Sequence, residues 1–130
     1  MNIIPHTSIK PRIGDILLRP KGLGIINHVG VSDGNGHVVH NLPSKGEHIT
    51  TVEAFAEGKP VTVKSTGANP HSVLAKMRQI LAHPKEYCLI SRNCEHTASD
   101  IIQGKPRSEQ LQAAIAMGII GFFMYLAVRD

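Results

Sequence analysis

Tryptophan is absent from these 130 residues, aromatic residues make up only 4%, and there are two cysteines. Each scarcity narrows the reading. Few aromatics leave little to stack bases, so the formal net charge of +4 is not read as a nucleic-acid signature. Two thiols six positions apart, Cys88 and Cys94, do not make a disulfide framework. Both fall where the pattern reads as strand running into helix, so their side chains diverge and are expected to stay reduced. The chain shows no basic start followed by an apolar stretch and a small-residue cleavage site, which points to a cytoplasmic location. Charged residues are 18% and apolar residues 42%, a balance that excludes disorder and fits one modest core.

One long apolar run is present. Ala113 to Val128 holds no charged or strongly polar side chain, and as a single helix it would extend about 24 Å, short of the roughly 30 Å hydrocarbon core. A helix apolar on every side has to bury itself in lipid, in a partner or in its own fold. With Lys105 and Arg107 ahead of it, residues 113–130 are read as a membrane anchor holding the rest, 1–112, in the cytoplasm. A core or dimer helix is the other reading.

Along the rest of the chain, residues 1–12 read as a lead-in without pattern. Asp15 to Leu18 reads as a first strand closed by Arg19-Pro20. Ile25 to Val31 and Gly36 to His40 flank an Asp-Gly and an Asn-Gly pair, a strong hairpin signal. Val61 to Val63 is β-branched throughout and predicts a further strand. Asn69 caps and Pro70 opens a helix through Ala82, stopped at His83-Pro84. Tyr87 to Ile90 reads as a short strand with Cys88 in the core. A second helix is predicted from Cys94 to about Gln103, ended by Gly104 and Pro106. The pattern is α+β.

Three residues stand out chemically. Cys94 follows Asn93 at a predicted helix start, where unpaired backbone amides favour a thiolate. His28 and His40 lie equally far from a turn centred near Gly34, so a symmetric hairpin makes them cross-strand neighbours, as a base and its orienting partner require. His6, His37, His48, His71 and His83 are read as solvated, and His96 as structural, about 200° around the helix from Cys94. A zinc set of His37, His40, Cys94 and Glu95 was weighed, but His-x-x-His on a strand faces two sides, so neither metal nor cofactor is expected.

The stretch His28 to Asn41, preceded by Gly14-Asp15-Ile16 and followed by Asn93-Cys94-Glu95-His96, resembles the lecithin:retinol acyltransferase-like proteins, small enzymes of the permuted papain-like superfamily. Gly104 and Ser108-Glu109-Gln110 extend the likeness to about Gln110. The resemblance implies a circularly permuted papain-like fold, an antiparallel sheet packed with helices. It also implies a catalytic set of Cys94 as nucleophile, His28 as general base and His40 as the residue that orients it. The chemistry implied is acyl transfer, or phospholipase A-type hydrolysis, through an acyl-cysteine thioester on a phospholipid or similar ester. Thr97 and Val29 depart from the family pattern, which commonly has aromatics there. A cysteine peptidase or amidase of the same superfamily, and a non-catalytic membrane-tethered binding module, are the alternatives.

Overall fold

The computed structural model describes residues 2–4 and 10–128. Six strands form one antiparallel sheet: β1 (Asn2–Ile4), β2 (Ile16–Lys21), β3 (Ile26–Ser32), β4 (His37–Leu42), β5 (Gly46–Thr51) and β6 (Val61–Lys64), in spatial order β1-β6-β2-β3-β4-β5. Five helices accompany it: α1 (Val52–Ala56), α2 (Pro70–Ala82), α3 (Cys94–Gln103), α4 (Glu109–Ala116) and α5 (Ile120–Val128). The α+β class and the antiparallel sheet follow the sequence pattern.

Strand alternation divides the side chains between two faces. Ile16, Leu18, Val29, Val31 and Val39 project to one, where they meet Val73, Met77 and Ile80 of α2 and Ala98 and Ile101 of α3. The α2 residues recur at spacings of four and three and form a single stripe. Leu17, Arg19, His28, Gly30, Val38 and His40 project to the other face. There Phe55 of α1 closes a cluster with Leu17, Val38 and Val61.

Helix ends behave as their caps dictate. Asn69 Oδ1 accepts from the Ser72 N–H at the start of α2, and Asn93 Oδ1 accepts from Glu95 and His96 at the start of α3. His96 completes a capping box, its Nδ1 accepting from the Asn93 N–H. That fixes its structural role.

Four expectations are corrected. The lead-in contains β1, whose Asn2–Ile4 pair with Val61–Val63; His6 lies outside the described residues. Tyr87 to Ile90 is not a strand of the sheet but part of a turn closed by reciprocal backbone bonds between Cys88 and Arg92, and Cys88 is exposed instead of buried. Gly46–Thr51 and Val52–Ala56, unassigned by pattern, form β5 and α1. The apolar run is not one helix: Gly118, with φ +69°, breaks it between α4 and α5.

The two C-terminal pieces fold back on the domain. Leu111, Ala114, Phe123, Leu126 and Ala127 pack against Ile26 of β3, and the buried Lys21 ammonium donates to the Ala127 carbonyl at 2.9 Å. Among the described residues no helix is long and apolar enough to cross a membrane. Met117, Phe122, Met124, Tyr125 and Val128 stay exposed along the outer side.

Candidate active site

The β3–β4 hairpin brings His28 and His40 together, by a register centred on Asn35 instead of Gly34. Gly30, not His28, stands opposite His40, and Val31 pairs with Val39. His28 is therefore the diagonal neighbour on the same face, still within reach of an imidazole. Its Nε2 lies 2.7 Å from His40 Nδ1. The β4–β5 hairpin adds a third ring: His48, directly opposite His40, places its Nε2 2.9 Å from His40 Nε2. His48, read as solvated, is a half-buried member of this row. The one signal in the sequence is the Pro43 to Lys45 turn, which returns the chain along β4.

A glycine makes room for the roof over these rings. A Cβ on Gly30 would collide with Val38 and crowd Phe55. In its absence the Phe55 ring settles against His28, with centroids 5.2 Å apart, and against His40 at 5.6 Å. Arg19, fully buried beside them, donates from Nε to the Phe55 carbonyl at 2.7 Å. This environment disfavours imidazolium. Burial first, then the nearby His40, Lys21, Arg19 and His48, hold His28 well below its usual range. Burial and then His48, Arg19 and Lys45 push His40 down to about 3. Both rings rest neutral.

The Gly46 carbonyl, which only accepts, lies 2.9 Å from His48 Nδ1, so that nitrogen carries a hydrogen; in a row of three neutral rings His48 Nε2 is then a lone pair. His40 Nε2 then donates to it, His40 Nδ1 is a lone pair, and His28 Nε2 donates in turn. That leaves His28 Nδ1 as the unprotonated nitrogen, buried and without a hydrogen-bond partner among the described residues. A buried open lone pair is uncommon and has the properties of a base awaiting a proton.

Cys94 comes from the other direction. It is the first residue of α3, which packs over the Val29, Val31 and Val39 face. The β3–β4 ladder ends at Gly30 and His40, and just beyond that point the Val29 N–H faces the sulfur. The thiol does not hydrogen-bond to His28 Nδ1 in this structure. It lines a cleft with Lys21, Ile26, Tyr87, Asn93, Gln110, Phe123 and Ala127, of about 10 Å³, room for a single water. The helix start was expected to favour thiolate, but burial outweighs it and pushes the Cys94 thiol up, against the pull of Lys21 and the Val29 N–H. Exposed Cys88 is the reverse, held down chiefly by a hydrogen bond from Ser91.

A polar network anchors α3. Glu47 and Arg92, both buried, meet through Arg92 Nε at 2.7 Å, and Arg92 also reaches Asp100 at 3.0 Å. Thr97, where an aromatic is common in the family that the sequence resembles, is fully buried and donates to Glu47 Oε2 at 2.7 Å. It serves this network. Among the described residues no group of three or more His, Cys, Asp and Glu converges as metal ligands. His37 turns to Asp33, and Glu95 accepts from Ser108 and Gln110. His71 and His83 are exposed, as their positions suggested. Compared with known proteins, the chain matches no family model and no curated sequence.

Proposed function

We propose that this chain is a thiol-dependent acyltransferase or phospholipase A-type hydrolase of the lecithin:retinol acyltransferase-like, permuted papain-like kind, forming an acyl-cysteine thioester at Cys94. The observation that carries the reading is the open, buried Nδ1 of His28. It sits one residue before Val29, whose N–H faces the Cys94 sulfur. His28 Nδ1 takes the thiol proton, the sulfur attacks an ester carbonyl, and the same proton passes to the leaving alkoxide. His40 orients His28 through the 2.7 Å contact. The Asn93 cap bonds to the Glu95 and His96 N–H groups, leaving the N–H of Cys94 at the helix start as the donor to the oxyanion, a contribution of about 3 kcal/mol at comparable sites.

The cleft at Cys94 is too small for an ester, so the reaction needs it to widen; Phe123 and Ala127 of α5 are among the residues that line it. The exposed apolar side of α4 and α5 suits them to lie on a lipid surface facing the cytoplasm, where the substrate is also found. Mass spectrometry of the intact chain after incubation with phosphatidylcholine vesicles tests this. One fatty-acyl mass on wild type and none on Cys94→Ser is the expected result; an unmodified wild type, or equal labelling of both, overturns it.

A further inference from the structure

We propose that His48 is a positioning residue of this reaction and the last station of a three-histidine proton relay that starts at the Cys94 thiol, an inference that rests on the reading of Cys94 as nucleophile. The geometry is a continuous row: His28 Nε2 to His40 Nδ1 at 2.7 Å, His40 Nε2 to His48 Nε2 at 2.9 Å, and His48 Nδ1 to the Gly46 carbonyl at 2.9 Å. The carbonyl can only accept, so in a row of three neutral rings it sets the tautomer of each and leaves a lone pair at His28 Nδ1. Without His48 nothing in the row distinguishes the two neutral tautomers of His40.

The row also gives the proton's charge somewhere to go. As the S–H bond breaks, its proton forms an N–H bond at His28 Nδ1. The His28 Nε2 hydrogen moves to His40 Nδ1, and the His40 Nε2 hydrogen moves to His48 Nε2. Three N–H bonds form, while one S–H and two N–H bonds break. The positive charge ends on His48, whose Nδ1–H still donates to the Gly46 carbonyl. The reverse shift returns one proton from His28 Nδ1 to the alkoxide as the C–O bond cleaves.

The inner rings are poor places for that charge. His28 and His40 are buried under Phe55 from α1. They face Arg19 and Lys21 from β2 and Lys45 from the β4–β5 turn. His48 is the least buried of the three and stands on β5, an edge strand of the sheet. Water there stabilises an imidazolium.

The test uses the full chain, histidine-labelled with nitrogen-15, in a Cys88→Ser background that leaves one thiol. In wild type near neutral pH, His28 Nδ1, His40 Nδ1 and His48 Nε2 are expected to give the lone-pair nitrogen signals. His48→Leu is expected to mix the tautomers of His40 and His28. His48→Gln, whose amide oxygen still accepts from His40, is expected to keep them. Acylation of Cys94 by p-nitrophenyl butyrate, followed as nitrophenolate release, is expected to slow at least about tenfold in both variants, because neither takes up a proton.

A folded His48→Leu with wild-type tautomers overturns the proposal, as does His48→Gln with the wild-type acylation rate. If His48→Leu does not fold, the rate of His48→Gln decides. A wild type with these tautomers that is never acylated overturns the nucleophile reading and leaves the tautomer chain standing. An acylated wild type with other tautomers overturns the relay alone.

Discussion

The two faces of the sheet are built from the same strands and obey opposite rules. On one, Val29, Val31 and Val39 meet α2 and α3 in an apolar cluster where shape and area decide. On the other, beside the Leu17, Val38 and Phe55 cluster, the intervening residues Arg19, His28 and His40 are as deeply buried, yet they meet through directional polar contacts. Burying neutral imidazoles in a row sacrifices transfer free energy for a defined proton arrangement, which a packed core does not need. Valines and histidines thereby alternate between opposite sides of the same strands, residue by residue.

That division can be broken in measurable steps. Glu47→Ala leaves the buried Arg92 charge with only Asp100 and is expected to cost about 4 kcal/mol in urea unfolding. A loss below about 1 kcal/mol would show that the network does not anchor α3. Ile101→Ala, in the apolar cluster, is expected to cost about 3 kcal/mol while leaving the histidine nitrogen signals in place. Altered signals would show that the faces are coupled.

Acid acts on the histidine face. His40 and His28 are depressed in the folded chain, so between the unfolded value of about 6.5 and the folded values the unfolded chain binds more protons. Their stabilising contribution is complete above about pH 6.5 and declines as pH falls toward about 3 for His40, at up to about 1.4 kcal/mol per pH unit for each ring. Urea midpoints at pH 7.5 and pH 5 measure this, and equal midpoints contradict the neutral row. His28→Phe, stacked on Phe55, is expected to change stability by no more than about 1.5 kcal/mol and to abolish acylation of Cys94. Retained acylation would remove His28 from the reaction.

Much of the apolar face was legible. The stripe of Val73, Met77 and Ile80 and the caps at Asn69 and Asn93 are local signals, and local signals survive folding. The histidine face was legible only in part. The pairing of His28 with His40 came from counting outward from a turn centred near Gly34, and the count was two residues off because the ladder is centred on Asn35. His48 was missed because Gly46–Thr51 lacks an apolar alternation; its burial comes from β4 alongside, not from its own pattern. Cys88 was misplaced for a related reason: Tyr87 and Leu89 beside it are half-buried, while the turn closed by Arg92 points the thiol outward. Nor did spacing reveal that α3 approaches from the face opposite the histidines, since that depends on how the sheet and α2 receive it.

Because Cys94 is buried in a cleft that Phe123 and Ala127 help to line while Cys88 stands in solvent, the chain carries its own clock and its own reference. Iodoacetamide is expected to label Cys88 at the speed of an open thiol, and Cys94 only during the fraction of time that its cleft is open. When reclosing is faster than labelling, the ratio of the two rates, corrected for thiolate content, is the equilibrium constant for that local opening. A surface that draws α5 outward would register as an acceleration at one sulfur and none at the other.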